Sequence, residues 1–111
     1  MKKVFLSHPL GNNIEINRYI VDNMLKELRE IYPNILFISP LHKFSYIEKE
    51  TEGLREEILE NCKYDIEGSD ELWLAGVSSG CRYEVKYANN IDKDIRVIEG
   101  SIKLNDEKGI E

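Results

Sequence analysis

Short apolar runs and spaced apolar residues alternate along this chain. The runs are Val4-Phe5-Leu6, Ile35-Leu36-Phe37-Ile38, a third from Glu71 through Leu72-Trp73-Leu74-Ala75-Gly76 to Val77, and Ile95-Arg96-Val97-Ile98. Each is closed by residues that break regular structure: Ser7-His8-Pro9-Leu10-Gly11, Ser39-Pro40, Ser78-Ser79-Gly80 and Gly100. They read as strands. After the first, Ile16, Ile20, Met24 and Ile31, with Val21, Leu25 and Leu28, return at three- and four-residue steps. That spacing predicts a helix from a cap at Asn12 or Asn13 to about Tyr32, stopped before Pro33. Leu54, Ile58, Cys62 and Ile66, with Leu59, predict a second helix over roughly Glu52 to Gly68, and a third runs from Arg82 to about Asn90. Residues 41–51, including His42, Phe44 and Tyr46, keep no period and read as an irregular loop, a place where small domains often carry function.

The order is therefore β-α-β-α-β-α-β. Apolar runs without alternation suit a sheet covered on both faces, and right-handed crossovers make it parallel. The expected fold is α/β, a flavodoxin-like three-layer sandwich with a parallel sheet of about four strands in the order 2-1-3-4. Residues 1–100 form the domain, and 101–111, rich in Asn105, Asp106, Glu107 and Lys108, form a polar tail. Ligands of such sheets lie beyond the carboxyl ends of the strands where the order reverses, here between the first and third. Two loops are thereby singled out, residues 7–13 and 78–84.

Composition narrows the classes. The 111 residues suffice for one domain, and 41% apolar with 32% charged residues describes a chain that buries a core. The formal charge of −6 repels a polyanion, so polymeric nucleic acid is disfavoured, while one small anion at a helix N-terminus is compatible with it. Cys62 and Cys81 have neither zinc-site spacing nor the density of a disulfide framework, and read as reduced thiols of a cytoplasmic protein. No secretory leader or membrane span is expected, because the first apolar stretch is broken at Ser7-His8. Histidine and cysteine spacing argues for no metal, and no Walker loop, dinucleotide glycine fingerprint or G-x-S-x-G elbow asks for a cofactor.

Ser78-Ser79-Gly80 sits between strand and helix, where it either caps the helix or cradles an oxyanion with its amides and hydroxyls. Glu84, in the first turns of that helix, either complements the dipole or faces the crevice. A carboxylate there can trap an oxocarbenium-like sugar carbon as an ester, provided another group protonates the leaving base. His8 either bonds the loop backbone or contacts a base or phosphate. Phe5 either packs in the core or stacks on a base.

Val4-Phe5-Leu6-Ser7-His8-Pro9, Ile38-Ser39-Pro40-Leu41-His42, Ser69-Asp70-Glu71-Leu72-Trp73 and the stretch from Ser78 to Ala88 resemble the nucleoside 2-deoxyribosyltransferase-like superfamily over residues 3–99. Ser-x-Gly-x-x-Tyr-Glu-x-x-x-Ala is similar to the nucleophile segment of its deoxynucleoside 5′-monophosphate N-glycosidases. The resemblance implies Glu84 as nucleophile, Ser78 as a phosphate contact, Gly80 as the turn that admits the ligand, and the loop of Ser7, His8 and Gly11 facing the nucleotide. It also implies a homodimer or higher oligomer. Two positions depart from it: Phe5 stands where active members carry tyrosine, and Cys62 where they carry aspartate. Asp65, three residues on, is the carboxyl left to protonate the base. The expected function is an N-glycosidase or deoxyribosyltransferase with Glu84 and Asp65 catalytic and Phe5, Ser7, His8, Gly11, Ser78, Ser79 and Gly80 binding a nucleoside or nucleotide. The alternative is a nucleotide-binding protein of the same fold that leaves its ligand intact.

Overall fold

The computed structural model describes residues 1–9, 14–40, 52–76 and 78–98. Strands β1 (Lys2–Ser7), β2 (Ile35–Ile38), β3 (Glu71–Leu74) and β4 (Asp94–Val97) alternate with helices α1 (Ile14–Ile31), α2 (Glu52–Glu67) and α3 (Ser79–Asn90). All strand pairs are parallel, in the order β2-β1-β3-β4, as the alternation of strand and helix predicts. Gly11, the candidate caps Asn12 and Asn13, the loop 41–51 and the tail 101–111 lie outside the described residues.

Side chains leave a strand on alternate faces, so β1 feeds two cores. Val4 and Leu6 meet Val21, Met24 and Leu28 of α1, with Trp73 and Ala75, on one face. On the other, Phe5 joins Cys62 and Ile66 of α2, Leu72 and Leu74 of β3, and Cys81 and Ala88 of α3. Among the described residues one helix thus covers one face and two cover the other, which makes three layers. At the bottom of the sheet, reciprocal bonds tie β1 to the entry of β3: Asp70 N–H donates to the Lys3 carbonyl and Lys3 N–H to Asp70 Oδ2, both at 2.8 Å.

The helix periodicity gives the right face for α1 but too wide a stripe. Val21, Met24 and Leu28 are buried, whereas Ile16 and Ile31, in the first and last turns of the helix, are more than half exposed. The third strand ends at Leu74, three residues earlier than its apolar run. Helix α3 starts at Ser79 rather than Arg82, because Ser78 accepts the Cys81 N–H at 3.1 Å and closes the first turn. Its far end is a paired reverse turn in which Lys93 N–H reaches the Ala88 carbonyl and Asp92 N–H the Asn89 carbonyl. Asp92 sits there at φ 60°, a left-handed conformation that aspartate tolerates better than most residues.

Trp73 closes the α1 face. Its ring meets the edges of Tyr32 and Phe37 at 5.1 and 5.4 Å, Arg96 lies over it at 5.0 Å, and Nε1–H donates to Glu71 Oε1 at 2.8 Å. Trp73→Ala should therefore cost about 3–5 kcal/mol in urea unfolding, with a smaller loss for Trp73→Phe, which keeps ring packing and loses the indole donor.

Candidate active site

The carboxyl ends of β1 and β3 meet at the reversal of strand order. Ser7 is the last residue of β1 and pairs with Leu74, and its carbonyl accepts the Ala75 N–H at 2.8 Å. Ser7 shares a face with Phe5, so its hydroxyl points towards the α2 and α3 layer. There it donates to Glu84 Oε1 at 2.5 Å, across 77 residues of sequence. Both partners are buried, Ser7 completely and Glu84 to 6% exposure. A buried carboxylate is costly unless hydrogen-bonded, and a short charge-assisted O–H···O bond is among the stronger ways of holding one.

Cys81 lies one helical turn before Glu84 on the same buried side of α3. Burial pushes its thiol pKa up, and hydrogen bonds with Ser7 and Ser78 partly oppose that shift. Ser7, Cys81 and Glu84 thus form one polar cluster within an otherwise apolar layer. Sequence reasoning missed the part played by Cys81; its i, i+3 spacing from Glu84 was the available signal. The orientation of α3 is braced from outside. Tyr87 Oη donates to a Glu67 carboxylate of α2, which raises the phenol pKa, and Lys63 Nζ lies 5.6 and 5.5 Å from the ring centres of Tyr83 and Tyr87.

Ser78, Ser79 and Gly80 adjoin this cluster at the start of α3, whereas Asp65 lies near the end of α2, towards the entry of β3. Ser78 Oγ is engaged as the α3 cap, while Ser79 and Gly80 occupy the first turn, where amides have no intrahelical acceptor. Asp65 is half-buried on α2, and its backbone carbonyl accepts the Ser69 hydroxyl at 2.6 Å. Phe5 is at 0% exposure, enclosed in the cluster that also holds Cys62, so its ring has no face open for stacking on a base. That corrects the stacking expectation, and the reason is strand alternation, which turns position 5 into the interior. The two positions that depart from the superfamily pattern, Phe5 and Cys62, are packed in one apolar cluster.

His8 follows β1 immediately. Its Nδ1–H donates to the Pro9 carbonyl at 2.7 Å, which makes Nε2 the acceptor of the neutral ring, and Nε2 is buried with no partner among the described residues. Burial lowers the imidazole pKa from the ordinary 6.5, outweighing the Pro9 bond. Among the described residues no cluster of His, Cys, Asp and Glu is placed to hold a metal ion, and no helix is long and apolar enough to cross a membrane.

No family model and no curated protein matches the sequence. Solved structures do. A 2-deoxyribosyltransferase from the psychrotolerant bacterium Bacillus psychrosaccharolyticus, described as a biocatalyst for nucleoside synthesis, superposes with a TM-score of 0.64 at 17% identity, over 91% of this chain and 79% of its own. A conserved protein from Enterococcus faecalis V583 superposes with a TM-score of 0.67 at 16% identity, over 99% of this chain and 70% of its own. The chain therefore has the nucleoside 2-deoxyribosyltransferase-like fold.

Two outcomes follow for the site. Ser7→Ala leaves the Glu84 carboxylate without its hydroxyl donor and should cost about 1–3 kcal/mol in urea unfolding near neutral pH; an unchanged midpoint would show that the bond contributes nothing. For His8, a folded pKa below the unfolded one means that the unfolded chain takes up its proton first. Stability present above 6.5 is then lost as pH falls through that value towards the folded pKa. Wild type should lose more unfolding free energy than His8→Asn between about pH 7.5 and about pH 5.5, and equal losses would contradict the burial argument.

Proposed function

From this fold and from the buried carboxylate held at its strand ends, we propose that the chain acts on the N-glycosidic bond of a nucleoside or its 5′-monophosphate, with Glu84 as nucleophile. The observation that carries the reading is the 2.5 Å bond from Ser7 to Glu84 at the point where strand order reverses. Ser7 fixes the orientation of the carboxylate and limits its freedom before substrate arrives. A glutamate oxygen attacks the anomeric carbon, the bond from that carbon to the base nitrogen breaks, and an ester to Glu84 forms. The departing nitrogen takes a proton, for which Asp65 is the candidate donor. Water or a second base then attacks the anomeric carbon and releases Glu84, giving hydrolysis or transfer. The first-turn amides of Ser79 and Gly80, the capping Ser78, the loop containing Gly11, and His8 are the proposed contacts to phosphate and sugar.

A second reading has its own observation in favour. Phe5 and Cys62 pack together in the interior and bring neither a carboxyl nor a phenol group to the site. On this reading the protein holds a nucleotide without cleaving it, and Glu84 accepts a hydrogen bond from the sugar.

Incubation with each deoxynucleoside and deoxynucleoside 5′-monophosphate, followed by chromatography for free base, separates the two. The catalytic reading expects base release, reduced at least about a hundredfold in Glu84→Gln and about tenfold or more in Asp65→Asn. Turnover that survives in Glu84→Gln removes the nucleophile. A ligand that raises the melting temperature and is recovered intact supports the binding reading instead.

A further inference from the structure

On helix α3, Glu84, Cys81 and Ala88 are buried, while the half-buried Val85 and the exposed Arg82, Lys86 and Asn89 lie on the adjoining flank. Between that flank and the end of β3 runs a groove of about 350 Å³. Its floor is Leu74, Cys81 and Val85, with the side-chain-free Gly76 at one wall. Arg82 and Lys86 rim it one turn apart, and Asn89 closes the end with an amide able to donate and to accept.

Two features give the groove a ligand chemistry. Among the described residues no acidic side chain lines it and neither Arg82 nor Lys86 has a carboxylate partner, although the chain carries six more acids than bases. Elsewhere Lys2 pairs with Glu71 and Lys63 with Glu60. Two uncompensated cations over an apolar floor fit a ligand with an anionic head and an apolar body. Guanidinium binds a planar or tetrahedral anion with two parallel bonds, and ammonium adds a second charge one turn away. The volume holds one or two fused rings.

We propose that this groove, which neither Ser7 nor Glu84 lines, is a binding site for a small molecule that joins a flat apolar ring system to one carboxylate or phosphate group. Cys81 is common to the groove and to the Glu84 cluster: it lines the groove, and its side chain bonds with Ser7. The nucleotide chemistry proposed for Glu84 neither requires this site nor follows from it.

The test uses the full chain with three probes of one ring system: naphthalene-1-carboxylate, 1-naphthyl phosphate and the neutral naphthalene-1-methanol. Calorimetric titration should show the anions binding at least about tenfold more tightly than the alcohol, the difference made by one charge-assisted contact. The better of the two anions identifies the head group. Arg82→Gln with Lys86→Gln, both at exposed positions, should abolish the preference while leaving the fold intact. Amide resonances of Gly76, Arg82, Val85 and Asn89 should shift on binding. Equal affinity for anion and alcohol, an anion preference retained in the double variant, or shifts confined to other residues would each overturn the proposal. The readout is binding, so it stands or falls apart from any glycosidic turnover.

Discussion

A carboxylate withdrawn from water must find a donor, and that requirement governs the region around Glu84. The donor comes from another element, 77 residues away, so the site exists only when sheet register and helix position agree. Ser7 reaches Glu84 because β1 pairs with β3 in a register that sets Ser7 beside Leu74. Slippage by one residue would present Leu6 or His8 on that face in its place. The serine cap at Ser78 fixes where α3 begins, and the contacts of Lys63 and Glu67 with the tyrosines of α3 fix its rotation.

Much of this framework is legible in the residues. The apolar run at Val4 names a strand buried on both faces, the run at Ile35 names a strand that stands at the sheet edge with Leu36 exposed, and the three- and four-residue spacings name helices. Together they lead to a parallel sheet in the order 2-1-3-4, hence to the reversal of strand order where Ser7 meets α3. What escapes the sequence depends on where neighbouring elements stop. Ile16 and Ile31 keep the helix period but stand exposed in its first and last turns, and the apolar run to Val77 outlasts the strand that ends at Leu74. Phe5 reads equally as core or as ligand contact until alternation along β1 is settled by the actual pairing. The Ser7 to Glu84 bond has no local signature, since each residue alone has an ordinary role.

The Ser7, Cys81 and Glu84 cluster stands at the carboxyl end of β1. Phe5, Cys62, Ile66 and Leu72 make a continuous apolar body beneath Ser7, Cys81 and Glu84. Such a body lowers the local dielectric and strengthens the few polar contacts above it. It also leaves the chemistry of the site to residues that follow the strands and begin α3. Helix α3 therefore links three tasks: core packing through Ala88, the carboxylate through Glu84, and a basic flank through Arg82 and Lys86.

The two thiols give this architecture an internal clock. Cys62 and Cys81 form no disulfide and are almost wholly enclosed, each on a different helix of the same layer. An alkylating reagent reaches Cys62 only when α2 lifts from the sheet, and meets an accessible thiolate at Cys81 only when its surroundings loosen. The rates at which the two sulfurs are consumed thus report, helix by helix, how often this side of the protein breathes and whether its two helices part together or singly.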